Sequence, residues 1–201
     1  MDCLPVLLAR GRTVPEAWEE SIRLLEELGS VRPDLAGKPA HLARMASLEN
    51  TMGTLHMGRN ELEALPKALE HYARAYELYE ALGRAEGMVR AGLNMALVRF
   101  VLARDEQALE ELLGLLEKCS ELAEKIGSWA MFARLEGLRG LVLLALGRDE
   151  EALEHASRAL RTAFEKGLGT FDASVAATFT AQVILATNRP LGCLLYTSDA
   201  A

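Results

Sequence analysis

The stretch "ARDEQALEELLGLLEKCSELAEKIG" from Ala103 returns as "LGRDEEALEHASRALRTAFEKG" from Leu146: a turn, an acidic helix start, then Ala-Leu. The alanines of that phrase, Ala68, Ala108 and Ala152, stand 40 and 44 residues apart, and the glycines Gly83, Gly127 and Gly167 stand 44 and 40 apart. Two independent markers keep one period. Self-similarity on this scale confines a chain to stacked units, each burying its apolar face on the next. Two amphipathic segments fill each period. In the second of each pair, Leu69, Tyr72, Ala73, Tyr76 and Tyr79, then Leu109, Leu112, Leu113 and Leu116, recur at helical spacing. The fold class is therefore all-α, built of antiparallel helix pairs.

The periodicity predicts helices near 15–28, 39–57, 61–82, 86–103, 105–126, 129–146, 149–166 and 171–187, after a short apolar piece at 3–10. Gly83, Gly127 and Gly167 are expected as left-handed helix stops. Asp105 and Asp149, each following an arginine at a tight turn, are expected as N-caps. Pro33 and Pro39 bracket the connector "SVRPDLAGKP", because proline drives its predecessor out of the helical region. No long linker interrupts the chain, which is expected to form one repeat domain over 1–192.

The 201 residues carry a formal charge of −7, the wrong sign for a nucleic-acid surface, which clusters Lys and Arg to displace counterions. Cys3, Cys119 and Cys193 are too scattered for a disulfide framework or a zinc site. The start "MDCLPVLLARGR" lacks the charge and length of a secretory signal, and the apolar run "GLVLLALG" is far short of a bilayer span. A cytoplasmic protein without contact to membrane or nucleic acid is expected.

Catalytic chemistry finds little purchase. His41, His56 and His71 are 15 residues apart, so no two share a patch of one helix; with His155 they read as helix-surface histidines, and no metal site is assigned. The pairs Glu19-Glu20, Glu26-Glu27, Glu110-Glu111 and Glu150-Glu151 are neighbours on a helix and diverge, whereas acid–base work needs two carboxyls converging in a dry cleft. They read as solvated surface. "EKGLGTFD" has a Gly-x-Gly but neither the preceding strand nor the Lys-Ser/Thr pair of a phosphate loop. Cys119, beside Lys118 and without a local His base, reads as a packed thiol. No catalytic residue and no cofactor are assigned.

The unit "GLVLLALGRDEEALEHASRAL" (Gly140 to Leu160) resembles the tetratricopeptide repeat: small Gly140 where two helices cross, Gly147 at the turn, then Ala152 and Ala159. "NMALVRFVLARDEQALEELLGLL" repeats the frame with Ala96, Ala103, Ala108 and Leu115. The period exceeds that family's usual length of about 34 residues, Arg139 stands where it usually carries Leu, and an insertion lies between Gly53 and Ala68. Armadillo and HEAT repeats share the longer period, but the turn-plus-"DEEAL" phrase favours the tetratricopeptide resemblance. That resemblance implies a right-handed α-solenoid whose first helices line a concave face and grip an extended peptide. On it, Arg90, Asn94, Arg134 and Arg139 are the candidate partner-binding residues, because guanidinium forks suit carboxylates and Asn can bond a peptide backbone. Long-period arrays of this kind resemble those of large bacterial LuxR-type regulators related to the maltose activator. They imply a non-catalytic interaction or scaffold module that meets a protein partner or neighbouring domains of its own chain; the alternative is an accessory region of an ATPase, cyclase or kinase.

The ending "CLLYTSDAA", residues 193–201, resembles an in-frame translation of a transposase-type sequencing adapter. The natural chain is then expected to continue past Gly192. Helix 171–187 would present Phe171, Val175, Phe179, Val183 and Ile184 without the partner that covers them.

Overall fold

The computed structural model describes residues 38–59 and 61–187, with scattered positions between 16 and 31. The piece at 3–10, most of the 30–39 connector and the segment 193–201 lie outside the described residues. Among those described, seven α-helices follow one another: α1 (Pro39–Gly58), α2 (Leu65–Ala81), α3 (Ala85–Leu102), α4 (Glu106–Lys125), α5 (Trp129–Ala145), α6 (Asp149–Glu165) and α7 (Thr170–Thr187). A 3-10 turn, Leu62–Ala64, leads into α2 and belongs to the insertion between Gly53 and Ala68. The described positions from Glu16 to Ser30 are helical as well.

The helices stop where glycine permits it. Gly83, Gly127, Gly147 and Gly167 have φ of 63°, 70°, 71° and 59°. At Gly127 the next amide, Ser128 N, donates to Ala123 O at 2.8 Å while Gly127 N donates to Glu124 O at 3.0 Å. This paired closure satisfies carbonyls that the helix end would otherwise strand. The same two bonds recur around the other three glycines.

Helix starts follow the expectation at one site and depart from it at another. Asp105 is extended and its Oδ1 accepts from Ala108 N at 2.8 Å, so it caps α4. Asp149 does not cap α6. Arg148 occupies the cap position and Asp149 is the first helical residue, because the left-handed Gly147 completes the turn one residue earlier. There the Asp149 carboxylate acts only through the helix dipole. Asp105→Ala should accordingly cost about 1 kcal/mol, and Asp149→Ala only a few tenths, as shifts in the urea midpoint.

The chain divides into two compact units, Met1–Ala91 and Gly92–Ala201. In the first, α1 packs on α2. The Tyr72 ring, 1% exposed, fills the space left by Gly53, where a Cβ would lie 2.6 Å from it.

In the second unit α5 packs against α4, α6 and α7. A helix with neighbours on three sides must be apolar nearly all round; Phe132, Ala133, Leu135, Leu138, Val142 and Leu143 are all buried. Helices α4 and α6 bury one stripe each and turn their glutamates outward. Small residues set the spacing. A Cβ on Gly140 would lie 3.0 Å from the Ala152 carbonyl of α6, and Ala133, Ala159, Ala163 and Ala176 form a seam through α5, α6 and α7. Thr180 Oγ1 of α7 donates to Ala156 O of α6 at 2.8 Å.

The uncovered face expected on helix 171–187 is mostly covered. Val183 and Ile184 are buried and Val175 is partly so, while Phe179 lies against Gly137, where a Cβ would come within 2.5 Å of its ring. Only Phe171 of that set is exposed. Close packing on α5 and α6 supplies the cover.

Candidate functional site

Two hairpins carry the same polar device. Glu49 and Glu136 each stand four residues before the crossing glycine of a first helix, Gly53 and Gly140. His71 and His155 each end an Ala-Leu-Glu-His phrase on the second helix. The hairpins bring them together: Glu49 Oε2 lies 2.7 Å from His71 Nδ1, and Glu136 Oε2 lies 2.9 Å from His155 Nδ1. Neither carboxylate is surface. The Glu136 side chain is 0% exposed, and the Glu49–His71 pair is nearly closed from solvent. The middle repeat carries Gly92 and Glu111 at the matching positions, so it has no such pair.

Helix-surface histidine is thus the wrong description for three of the four. His56 is buried and its ring stacks on His71 with centroids 5.3 Å apart and planes 9° apart; His71 and His155 are part-buried, each with Nδ1 against a carboxylate oxygen. A residue spacing of 15 rules out a shared patch on one helix but says nothing of two helices folded together.

Around Glu136 the three helices α4, α5 and α6 pool their charges. Arg158 Nη1 lies 3.5 Å from Glu136 Oε2 and also reaches Glu124 of α4 at 3.5 Å. Burial pushes the Glu136 carboxyl up, but His155, Ser120 and Arg158 together outweigh that and leave it below the usual carboxylate range. Among the described residues, Glu136 Oε1 and Arg139 Nε are buried without a hydrogen-bond partner. Such a cluster ties the three helices together, with the Glu124 and Glu136 carboxylates on either arm of the one Arg158 guanidinium. Cys119, one residue along α4, is buried and its thiol is pushed up to about 11 by burial, with Lys118 opposing.

The four candidate partner-binding residues do not converge. Arg90 is exposed and pairs with Glu86 of its own helix at 2.9 Å; Asn94, a turn along α3, is half-buried. Arg139 turns toward α4 and pairs with Glu117 at 3.0 Å. Arg134 turns the other way. Its Nε donates to Asp172 Oδ1 of α7 at 2.9 Å, and its guanidinium carbon lies 5.0 Å from the centre of the Phe171 ring. Phe171 is 68% exposed. An arginine, an open aromatic ring and a carboxylate therefore share one patch where the first helices α5 and α7 meet. Phe171 was legible as an uncovered apolar residue and Asp172 only as part of a helix start; the tie of Asp172 to Arg134, 38 residues away, needed the packing.

Among the described residues no three His, Cys, Asp or Glu side chains come together as metal ligands, and no helix is long and apolar enough to cross a membrane. No protein-family model and no curated protein matches the chain. Among solved structures, a de novo designed helical repeat protein is similar at 22% sequence identity, with a TM-score of 0.29, over 87% of this chain and 80% of that one.

Proposed function

We propose that the chain is a non-catalytic helical-repeat module of the cytoplasm that binds a protein segment or couples neighbouring domains. Within its tetratricopeptide resemblance, its place is the sensor or coupling part of a larger bacterial signalling or transcription-regulatory protein of the LuxR kind. The observation that carries this reading is the Arg134–Phe171–Asp172 patch. Arginine and exposed aromatics are the residue types that dominate binding energy at interfaces, and here the guanidinium is already oriented by Asp172 and the ring. Arg90, Asn94 and Arg139 belong to the same proposed polar set on first helices.

Peptides selected from a displayed library on the intact chain test it. Arg134→Ala and Phe171→Ala should each weaken a selected peptide about tenfold or more. Phe164→Ala, at an equally open ring on the second helix α6, should leave affinity unchanged. Failure to select any peptide, or peptides indifferent to both patch variants, would refute the reading.

A further inference from the structure

In a chain of net charge −7, one cleft gathers cations. It lies in the first unit, encloses about 420 Å³, and is bounded by the described helical positions Glu19 and Arg23, the end of α1 and one face of α2. Lys67, His71 and Arg74 are one stripe of α2, two turns long, and Arg59 and Arg23 stand opposite.

These cations are not alike. Arg23 is held by Glu20 and Glu27 at 2.6 and 3.3 Å, and Arg59 by Glu19 and Glu61 at 3.3 and 3.6 Å. Lys67 and Arg74 are exposed, and among the described residues neither has a carboxylate partner. Glu70 lies between them on the stripe, yet no ion pair joins it to either. His71 has its Nδ1 engaged by Glu49 at 2.7 Å, which leaves Nε2 as its remaining polar atom, and its ring is braced by the parallel His56 ring.

We propose that this cleft binds a small phosphomonoester, its phosphoryl group taken by Lys67 and Arg74 beside His71. The charge count favours phosphoryl over carboxylate. A monoester carries about −1.5 to −2 and three strong acceptor oxygens, which suits an ammonium and a guanidinium together better than the single charge and two oxygens of a carboxylate. Lys67 and Arg74 are about 10 Å apart along the helix axis, and both side chains are long enough to converge on a tetrahedral group between them. The volume is within the range of small-ligand sites and leaves room beside the phosphoryl for an organic remainder. The inference is independent of the peptide-binding patch, which lies in the other unit.

Calorimetric titration of the full chain with inorganic phosphate, glucose 6-phosphate, adenosine 5′-monophosphate, glucose and citrate tests it. At least one phosphomonoester should bind with a Kd of about 1 mM or tighter, and glucose should not bind. Lys67→Gln and Arg74→Gln should each weaken binding about tenfold, the worth of one charge-assisted hydrogen bond. Both positions are exposed, so thermal melts should be unchanged. Glu70→Gln should tighten binding severalfold by removing the one like charge on the stripe. Absence of binding by every phosphate-bearing probe, affinity indifferent to both glutamine variants, or citrate binding as tightly as the esters would overturn the proposal. Binding of inorganic phosphate without either ester would overturn its ester part and leave a site for the free ion.

Discussion

His155→Leu should destabilise the chain by about 3 kcal/mol near neutral pH, because it leaves the buried Glu136 carboxylate without its nearest polar partner. Arg158, 3.5 Å from the same carboxylate and half-exposed, compensates too little to abolish the effect. The pH dependence should also change sign. In the natural chain the folded Glu136 carboxyl lies below the usual range. Its contribution is present above the unfolded value of about 4.3 and fades only as pH falls through the lower folded value. Without His155, burial is the main influence left and the carboxyl moves up. The folded variant then binds the extra proton, so its stability should decline as pH rises above about 4.3. Urea midpoints between mildly acidic and neutral pH distinguish the two: the gap between natural and variant chains should widen toward neutrality. Glu136→Gln in the variant background should flatten the slope. A gap that is constant with pH would show that His155 contributes packing alone.

Gly140→Val should cost about 3 kcal/mol, the upper part of the range for overpacking. The atom nearest a Cβ at that position is the Ala152 carbonyl oxygen at 3.0 Å, with Ala156 N at 3.4 Å. Backbone cannot rotate aside as a side-chain tip can, so α5 and α6 must separate along the Ala seam. Gly114 provides the control within α4, since a Cβ there meets nothing within 4 Å. Gly114→Ala should stabilise by up to about 1 kcal/mol through helix propensity alone. Opposite shifts in thermal midpoint are expected, and a Gly140→Val chain that melts with the natural one would mean that the close crossing is dispensable.

The seven described helices from Pro39 to Thr187 were legible to within a few residues because two local signals coincide in this chain. Apolar spacing marks the second helices, and glycine marks their ends; Gly83, Gly127 and Gly167 stop helices as expected. Starts were less legible. Asp105 and Asp149 look alike in sequence, and only the position of the preceding left-handed residue decides which of them caps. The polar device was written in the chain, as Glu-x-x-x-Gly followed by Ala-Leu-Glu-His, but its meaning depends on two helices crossing at that glycine. A histidine three residues past the alanine looks like surface on a helical wheel; a neighbouring helix turns it inward. For the same reason Val183 and Ile184 looked uncovered when only the next helix in sequence was considered, whereas α7 is covered by α5 and α6 behind it. Of the four candidate contacts, Arg134 gained an aromatic and an acidic neighbour that spacing along one helix could not show.

Cys119 gives the folded chain a built-in clock. Its sulfur is shut away on α4 and, with the thiol held up to about 11, forms almost no thiolate at neutral pH. In a chain carrying serine at positions 3 and 193, alkylation by a maleimide could proceed only when α4 swings open. The labelling rate would then time that excursion directly, and in the Gly140→Val chain it would tell whether the disturbance spreads from the α5/α6 crossing to α4.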